Sequence, residues 1–436
     1  MTKVAKTLSY NDALEYLYGL QKYGIKFGLS KTANLLKAFG DPQKGLRCIH
    51  IAGTNGKGSV AAMVESILMK AGLKVALYSS PHLVRFTERF RINRREISPA
   101  ESAGLIHELR SLIHPDHPPT FFEVTTAMSL IYFAREKCDV AIMEVGMGGR
   151  LDATNVIRPM VSVITNISLD HQVFLGRRLL DIAREKAGII KRGVDVVTGA
   201  TQGPVLDLFR AVCANRKARL WRVGGDIRYR WDDSGLYYYG LERTLRGLRL
   251  GLRGDFQHRN AAIALGAIEV LGRKGIEVSD RDVAEGLEHP RWPGRVHVVS
   301  TDPLIVLDGG HNPGAIRALA ATVRRDFRYQ RLILVLGVMK DKDIRGILGA
   351  IVPMADVVLY TAPAYERAAS PEDLMKEARP LRRPGKAVFP LARAIAEAKA
   401  LAGPGDMILV CGSLFTVGEA LTCIDPETYG ADRIRW

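Results

Sequence analysis

HIAGTNGKGSVAAMVESIL, residues 50–68, is the stretch whose reading decides the fold. The preceding apolar run RCIHIAG (47–53) suits a short buried strand, and Val60, Met63, Val64, Ile67 and Leu68 follow at helical spacing toward a stop at Gly72. Between strand and helix lie Gly53, Gly56 and Gly58, with Lys57 and Ser59. A glycine turn entering a helix leaves several backbone N–H groups unpaired and pointing one way, and the helix dipole adds positive potential there. Lys57 adds a full positive charge, and Ser59 a hydroxyl able to face a phosphate or its magnesium. The strict nucleotide loop is GxxxxGK[ST]. Here the pattern is G-x-x-G-K-G-S, with Gly58 between lysine and serine. A solvated lysine on a tight turn is the plainer reading, but this density of glycine, lysine and serine favours a phosphate cradle of a particular kind.

The rest of the chain bounds what such a cradle can serve. Its 436 residues exceed one ordinary core and suggest two or three domains. No apolar run reaches the length of a bilayer span. The start, MTKVAKTLSYNDALEYLYGL, lacks the apolar core of a signal peptide. Five cysteines (Cys48, Cys138, Cys213, Cys411 and Cys423) are scattered without a CxxC pair, which fits a reducing cytoplasm rather than a disulfide framework or zinc site. The formal charge of +16 admits nucleic acid or anionic small molecules as partners. Arginine alternates with aromatics over residues 216–259, which would suit stacking on single-stranded nucleic acid or, more simply, a hairpin with one wet face turning at DDSG (232–235).

Strand-length apolar runs alternate with helical patterns: VALYSS (75–80), DVAIMEV (139–145), VSVITNI (161–167), LIVLDGG (304–310), LILVLGV (332–338), DVVLYTA (356–362) and MILVCGS (407–413). This is the α/β pattern of a mainly parallel sheet with helices on both faces, whose ligands bind beyond the carboxyl ends of the strands. Those ends carry Ser79 and Ser80, Glu144, then Asp170 and His171, then Asp308, His311 and Asn312. The alternation breaks over 216–254 and resumes with FQHRNAAIALGAIEVL, a helix by its apolar spacing. HPRWPGRVHVVS (289–300) looks like a linker, so the expected domains are 1–296 and 297–436.

Magnesium prefers hard oxygen ligands and keeps several waters, which suits Ser80 and Glu144 beside the phosphate loop. His171 is a poorer ligand for a hard cation and ranks by pattern as a structural or acid–base residue. No nucleophile elbow or two-metal carboxylate cluster is visible. ATP-dependent chemistry is supported, with hydrolysis, phosphoryl transfer and ligation still open.

HIAGTNGKGSV, YSSPHLVRFTERFRI, FFEVTTAMSL, EVGMGGRLDATN, SLDHQVFLG, IAREKAGIIK, GDFQHRNAAIAL, RWPGR, LDGGHNPGAI, GVMKDKD and GSLF occur in this order over residues 49–415. Together they resemble folylpolyglutamate synthase, including its form that is also a dihydrofolate synthase, within the Mur ligase superfamily. The inserted Gly58 is normal in that family. The resemblance implies an N-terminal P-loop-type ATPase domain with a small antiparallel hairpin region, and a C-terminal Rossmann-like domain. It implies a ligase that uses ATP and Mg2+ to phosphorylate a folate or dihydropteroate carboxylate, which the amine of L-glutamate then attacks. Carried over by motif, Gly56, Lys57, Gly58 and Ser59 bind the ATP phosphates. Gln257 and Asn260 contact the adenine side, Arg295 reaches the phosphates, and Asp308 contacts ribose or phosphate. Ser80, Glu144 and His171 hold magnesium, and a carbamylated Lys186 supplies a ligand for a second ion. Phe122, Glu123, Asp152 and Ala153 line the pteridine side. Arg85, Arg89, His311 and Ser413 are candidates for the substrate carboxylates, with Lys57, Lys186, His171 and His311 the candidate catalytic groups. Only 52 residues precede Gly53, fewer than the extra domain of the cell-wall ligases needs, which favours folate over another amide ligase of that superfamily. The competing reading is a nucleic-acid-stimulated ATPase. The ligase reading expects a cytoplasmic monomer without nucleic acid or membrane partners.

Overall fold

The computed structural model describes residues 8–24, 26 and 28–432, so the first seven residues of the polar N-terminal stretch lie outside the described residues. The phosphate-loop strand is the hinge of the topology. Strands β1 (Cys48–Ala52), β2 (Val75–Tyr78), β3 (Phe90–Ile92), β4 (Arg95–Glu96), β5 (Val140–Glu144), β6 (Val161–Ile164), β7 (Val196–Thr198) and β8 (Leu220–Arg222) form one sheet in the order β4-β3-β2-β5-β1-β6-β7-β8. The β2–β3 and β3–β4 pairings at one edge are antiparallel, and every other pairing is parallel. After β1 the chain moves out past β5 to β2, and after β5 it crosses to the opposite side of β1. The order therefore reverses beside β1, and a crevice opens at the carboxyl ends of β1, β5 and β6.

Alternating side chains bury both faces of this sheet. Ile49, Ile51, Leu77, Ile142 and Val163 point to the helices Lys57–Lys70, Phe256–Gly272 and Asp280–Glu288. Cys48, Ala76, Tyr78, Ala141 and Met143 point the other way, to a core shared with Tyr10–Gly19, Pro99–Arg110 and Phe121–Arg135. The helix after β1 starts at Lys57, directly from a left-handed Gly56 (φ 83°), so the ammonium and the first free N–H groups share one helix end.

Strands β9 (Arg228–Asp232), β10 (Gly235–Tyr239) and β11 (Thr244–Leu248) form a small antiparallel sheet, and β9 turns into β10 between Asp232 and Gly235 as the DDSG signal predicts. Its inner residues Leu236, Tyr238, Leu245 and Leu248 join the core against Phe256–Gly272. The break in alternation starts later than the composition suggests. RLWRV supplies β8, a half-buried edge strand whose outer side tolerates arginine.

The second large sheet contains β12 (His297–Thr301), β13 (Leu304–Asp308), β14 (Leu332–Leu336), β15 (Val357–Tyr360), β16 (Gly385–Ala387) and β17 (Met407–Cys411) in the order β12-β13-β17-β14-β15-β16. Only β12–β13 is antiparallel. Residues 297–300, read above as linker, already belong to β12 and pair with β13, so the irregular connection ends at Val296. The last described residues return to the first sheet: the Asp432 carboxylate accepts from Phe86 N (2.8 Å) and the Tyr10 hydroxyl (3.2 Å), while Arg85 donates to the carbonyls of Thr428 and Gly430.

One buried carboxylate fastens the hairpin sheet. Glu269 accepts from the Tyr238 hydroxyl (2.5 Å) and from the backbone N–H groups of Leu241, Glu242 and Arg243 (2.8, 2.9 and 3.0 Å). Replacing it by alanine strands these donors, each bond to a charged acceptor contributing on the order of 1.5–3 kcal/mol. Glu269→Ala is expected to lower the opening free energy of residues 236–243 by about 3 kcal/mol, read from native-state amide exchange.

Candidate active site

The loop after β1 is laced to the loop after β6. Thr54 N donates to Asn166 O (3.0 Å), Asn55 N to Asn166 Oδ1 (2.8 Å) and Thr165 Oγ1 to Asn55 O (2.6 Å). With its own peptide groups so held, the loop turns the first N–H groups of Lys57–Lys70 into a cleft of about 420 Å³. From the first sheet Gly56, Lys57, Gly58, Ser59, Ser80, Glu144, Asp170, His171 and Lys186 line it; Asn260 and Arg295 follow, and Asp308, His311 and Ser413 come from the second sheet. Most of the expected site residues, scattered over more than 350 positions of the chain, thus meet in one crevice.

The loop glycines have structural reasons. Gly56 takes a left-handed backbone, and a Cβ there would come within 2.6 Å of Asn260 Oδ1. Gly58 is buried under Trp292, where a Cβ would lie 2.6 Å from Cε2 and 2.7 Å from Nε1. The extra glycine between lysine and serine therefore makes room for the RWPGR indole. Gln257 does not line the cleft. Its amide donates to Ser59 Oγ (3.3 Å) and accepts from Asn260 Nδ2 (2.8 Å), bracing the phosphate helix from below.

Charge is concentrated here. Lys57 Nζ donates to the carbonyls of Gly53 (3.3 Å) and Thr54 (3.4 Å), and the buried Lys186 Nζ to that of Gly53 (2.9 Å). Burial, with Lys57 beside it, pulls the Lys186 ammonium down to about 7. Glu144, fully enclosed at the end of β5, is pushed up by burial, against which Lys57 and Arg295 pull down. Burial likewise raises Asp308, opposed by Arg295 and by bonds from Val296 N (3.0 Å) and Gly310 N (2.7 Å). Arg295 thus serves both buried carboxylates. His171, in a left-handed backbone (φ 49°), is held down to about 4 mainly by burial, with Asp170 opposing. Its imidazole is neutral near pH 7, the form in which it can ligate a metal.

Among the described residues no three His, Cys, Asp or Glu side chains converge as a ready metal cage. One buried carboxylate, a serine beside it and a neutral imidazole suit an ion that keeps waters and takes phosphate oxygens, as magnesium does.

The remaining expected residues sit outside the cleft. The Phe122 ring packs on Gly146, a cleft residue, so its helix borders the site from behind. The Glu123 carboxylate caps that helix, accepting from Thr120 N (2.7 Å) and Oγ1 (2.9 Å). Asp152 accepts from Met147 N and Thr154 N, and Ala153 is buried beside it. Arg85 pairs with Glu96 (2.7 Å) at the far end of β3–β4. Arg89 is buried, its Nε on His82 Nδ1 (2.9 Å) and its guanidinium over the Phe121 ring. Sequence reasoning missed Lys342, Asn55 and Trp292 as parts of the site. GVMKDKD and RWPGR contain two of them, but four charged residues in a row or a tryptophan before proline carry no local signal of direction.

Two family models match the chain: the Mur ligase middle domain over residues 51–268 and the Mur ligase glutamate ligase domain over residues 294–414. The fold and cleft are those of a Mur ligase. A probable bifunctional folylpolyglutamate synthase/dihydropteroate synthase of Halobacterium salinarum is 38% identical over 95% of the chain, which spans only 52% of that relative, about half its length. The dihydrofolate synthase/folylpolyglutamate synthase of Escherichia coli is 35% identical, with 96% of each chain covered. The Yersinia pestis bifunctional folylpolyglutamate synthase/dihydrofolate synthase, solved with Mn, AMPPNP and L-glutamate bound, superimposes with a TM-score of 0.84 at 34% identity over 96% of this chain and 100% of that one. The chain belongs to the folylpolyglutamate synthase/dihydrofolate synthase family.

The Gly58–Trp292 contact yields a prediction. Alanine suits a helical position better than glycine by about 1 kcal/mol, so only the indole opposes it. Gly58→Ala should weaken AMPPNP binding by about tenfold in calorimetry, and Trp292→Leu in the same chain should restore part of the loss.

Proposed function

We propose that this protein ligates L-glutamate to a folate, or to dihydropteroate, at the cost of ATP. The observation that carries the reading is the shared cleft: a phosphate loop with Lys57, buried carboxylates at strand ends, and Asp308 and His311 facing them from the second sheet. A free carboxylate is a poor acyl donor. Its oxygen attacks the γ-phosphorus, the bond to ADP breaks, and an acyl phosphate results. The glutamate amine then attacks the acyl carbon, the amide forms and phosphate leaves. Cations and amides fixed before the reaction stabilise the developing charge without reorganising.

In this reading the amides of Gly56, Gly58 and Ser59, with Lys57 and Arg295, hold the phosphates. Asn260 shapes the adenine side, with Gln257 behind it bracing Ser59, and Asp308, whose charge Arg295 offsets, faces the ribose or phosphates. Ser80, Glu144 and His171 would hold magnesium, which supplies charge neutralisation at the transferred phosphoryl group. Phe122, Glu123, Asp152 and Ala153 form the wall toward the pteridine. Of the candidates for substrate carboxylates, His311 and Ser413 line the cleft, whereas Arg85, on Glu96, and Arg89, on His82, lie outside it. We place the division between the two domains at 296/297, where irregular backbone gives way to β12. The enzyme acts as a cytoplasmic monomer, with no role for nucleic acid or membrane; no helix among the described residues is long and apolar enough to cross a membrane.

The test is product analysis with tetrahydrofolate and with dihydropteroate, each with ATP, magnesium and glutamate. Glutamate-dependent ADP release with a new amide product is expected. ADP release that needs DNA or RNA and ignores glutamate would overturn the reading.

Lys186 supports a finer proposal. Carbamylation consumes a free amine and CO2 and releases a proton, leaving a carboxylate on a long arm. The buried amine, at about 7, is half unprotonated near neutrality, so carbamylation should rise as pH climbs through that value. Lys186→Ala should be nearly inactive and partly rescued by acetate or formate, whereas Lys186→Arg should be inactive without rescue. A bare ammonium at Lys186 in crystals of the active, magnesium-loaded enzyme would exclude the carbamate.

A further inference from the structure

Asp170 closes the strand-end loop after β6, one residue before His171, and only 7% of its side chain is exposed. Its partners are unusual in origin. Oδ1 accepts from His171 N (2.8 Å) and from Lys342 Nζ (2.9 Å), and Oδ2 accepts from Asn312 Nδ2 (3.2 Å) and lies 3.4 Å from His311 Nε2. Three of these four groups come from the second sheet: His311 and Asn312 follow β13, and Lys342 follows β14. Asn312 also donates to Asn55 Oδ1 in the phosphate loop (2.8 Å), and its own Oδ1 caps the helix Pro313–Asp326 through Ala315 N (2.9 Å). One buried carboxylate of the first sheet is thus gripped by two separate loops of the second, next to a residue of the candidate metal site and one bond from the phosphate loop.

We propose that Asp170 and Lys342 are positioning residues that latch the two sheets together over bound nucleotide, and that the latch sets the His171 and Asn55 loops for turnover. This rests on the ligase reading above. A carboxylate with these partners satisfied is stable when buried, but with the second sheet moved away it must find water. Lys342, itself nearly buried at 9% exposure, faces the same choice. The pair therefore favours closed over open as a two-state element, rather than adding a graded surface attraction. Asp341 holds Lys342 from the other side at 3.7 Å and pairs with Arg367 at 3.2 Å, which keeps the ammonium aimed at Asp170.

The test compares the whole protein with its Lys342→Met and Lys342→Arg variants, loaded with AMPPNP and magnesium, by hydrogen–deuterium exchange. In Lys342→Met, exchange should rise by about tenfold both at 167–173 and at 309–316 while β1 and β14 stay protected, because the closed population falls. The turnover number should fall by a similar factor, with KM for ATP moving less than about threefold, since nucleotide still binds the first sheet. Lys342→Arg, which keeps the charge, should recover at least part of the turnover and of the exchange protection that Lys342→Met loses. Parent-like exchange at either segment in Lys342→Met, or raised exchange with undiminished turnover, would overturn the latch. If Lys342→Met loosens β1 and β14 as well, Asp170→Asn read in the same way decides. A parent that releases no ADP in response to glutamate would sink the ligase reading instead, and the exchange measurement would still judge the latch.

Discussion

Two lysines converge on one peptide oxygen, the carbonyl of Gly53, from Lys57 at 3.3 Å and Lys186 at 2.9 Å. Little else in the site makes sense without that crowding. Two ammonium groups this close repel, and burial makes the charge on Lys186 costly. The protein meets this by placing Glu144 within reach of Lys57 and by letting Lys186 shed its proton readily. The fixed cations and amides that line the cleft suit an anion such as a triphosphate without rearranging.

The backbone makes this arrangement possible. A loop that had to find its own shape after binding would lose the advantage of fixed charges. Here the loop is tied to the β6 loop by five hydrogen bonds and braced by Gln257 and Asn260 from a helix two hundred residues away. The reversal of strand order at β1 brings these segments together at the carboxyl ends of the central strands. The same reversal explains why carboxylates and hydroxyls collect at strand ends that are far apart in the chain.

Much of this was legible in the sequence because it is periodic or local. The eight apolar runs named there all contain strands, since a parallel strand buried on both faces must be apolar throughout. The DDSG turn and the helix from Phe256 announce themselves by short-range chemistry. Edge strands escaped: β16 reads GKA and is mostly exposed, and β8 carries arginine, so neither shows a buried face. In the site, glycines, Lys57 and strand-end acids were visible because their spacing has a mechanical meaning. Arg85 drew attention as a cation, yet its place at the sheet edge beside Glu96 depends on how β3 and β4 fold back. Lys342 went unremarked because its partner lies 172 positions earlier, and no local pattern records that encounter.

The return of the chain end to the first sheet has a mechanical consequence. The two sheets are joined covalently by the segment around Gly294, which packs on Leu83, and non-covalently by Asp432 on Phe86 and Arg85 on Thr428 and Gly430. The helix Leu414–Ile424 presses its Gly418 against the Leu83 carbonyl in the same neighbourhood. Residues 83–86 therefore act as a pinned corner. A body fixed at one corner cannot drift away from its neighbour; it can only swing. A pin at one corner removes the three translations and leaves the three rotations, so the distance between the sheets is set near residues 83–86 and any relative movement is angular.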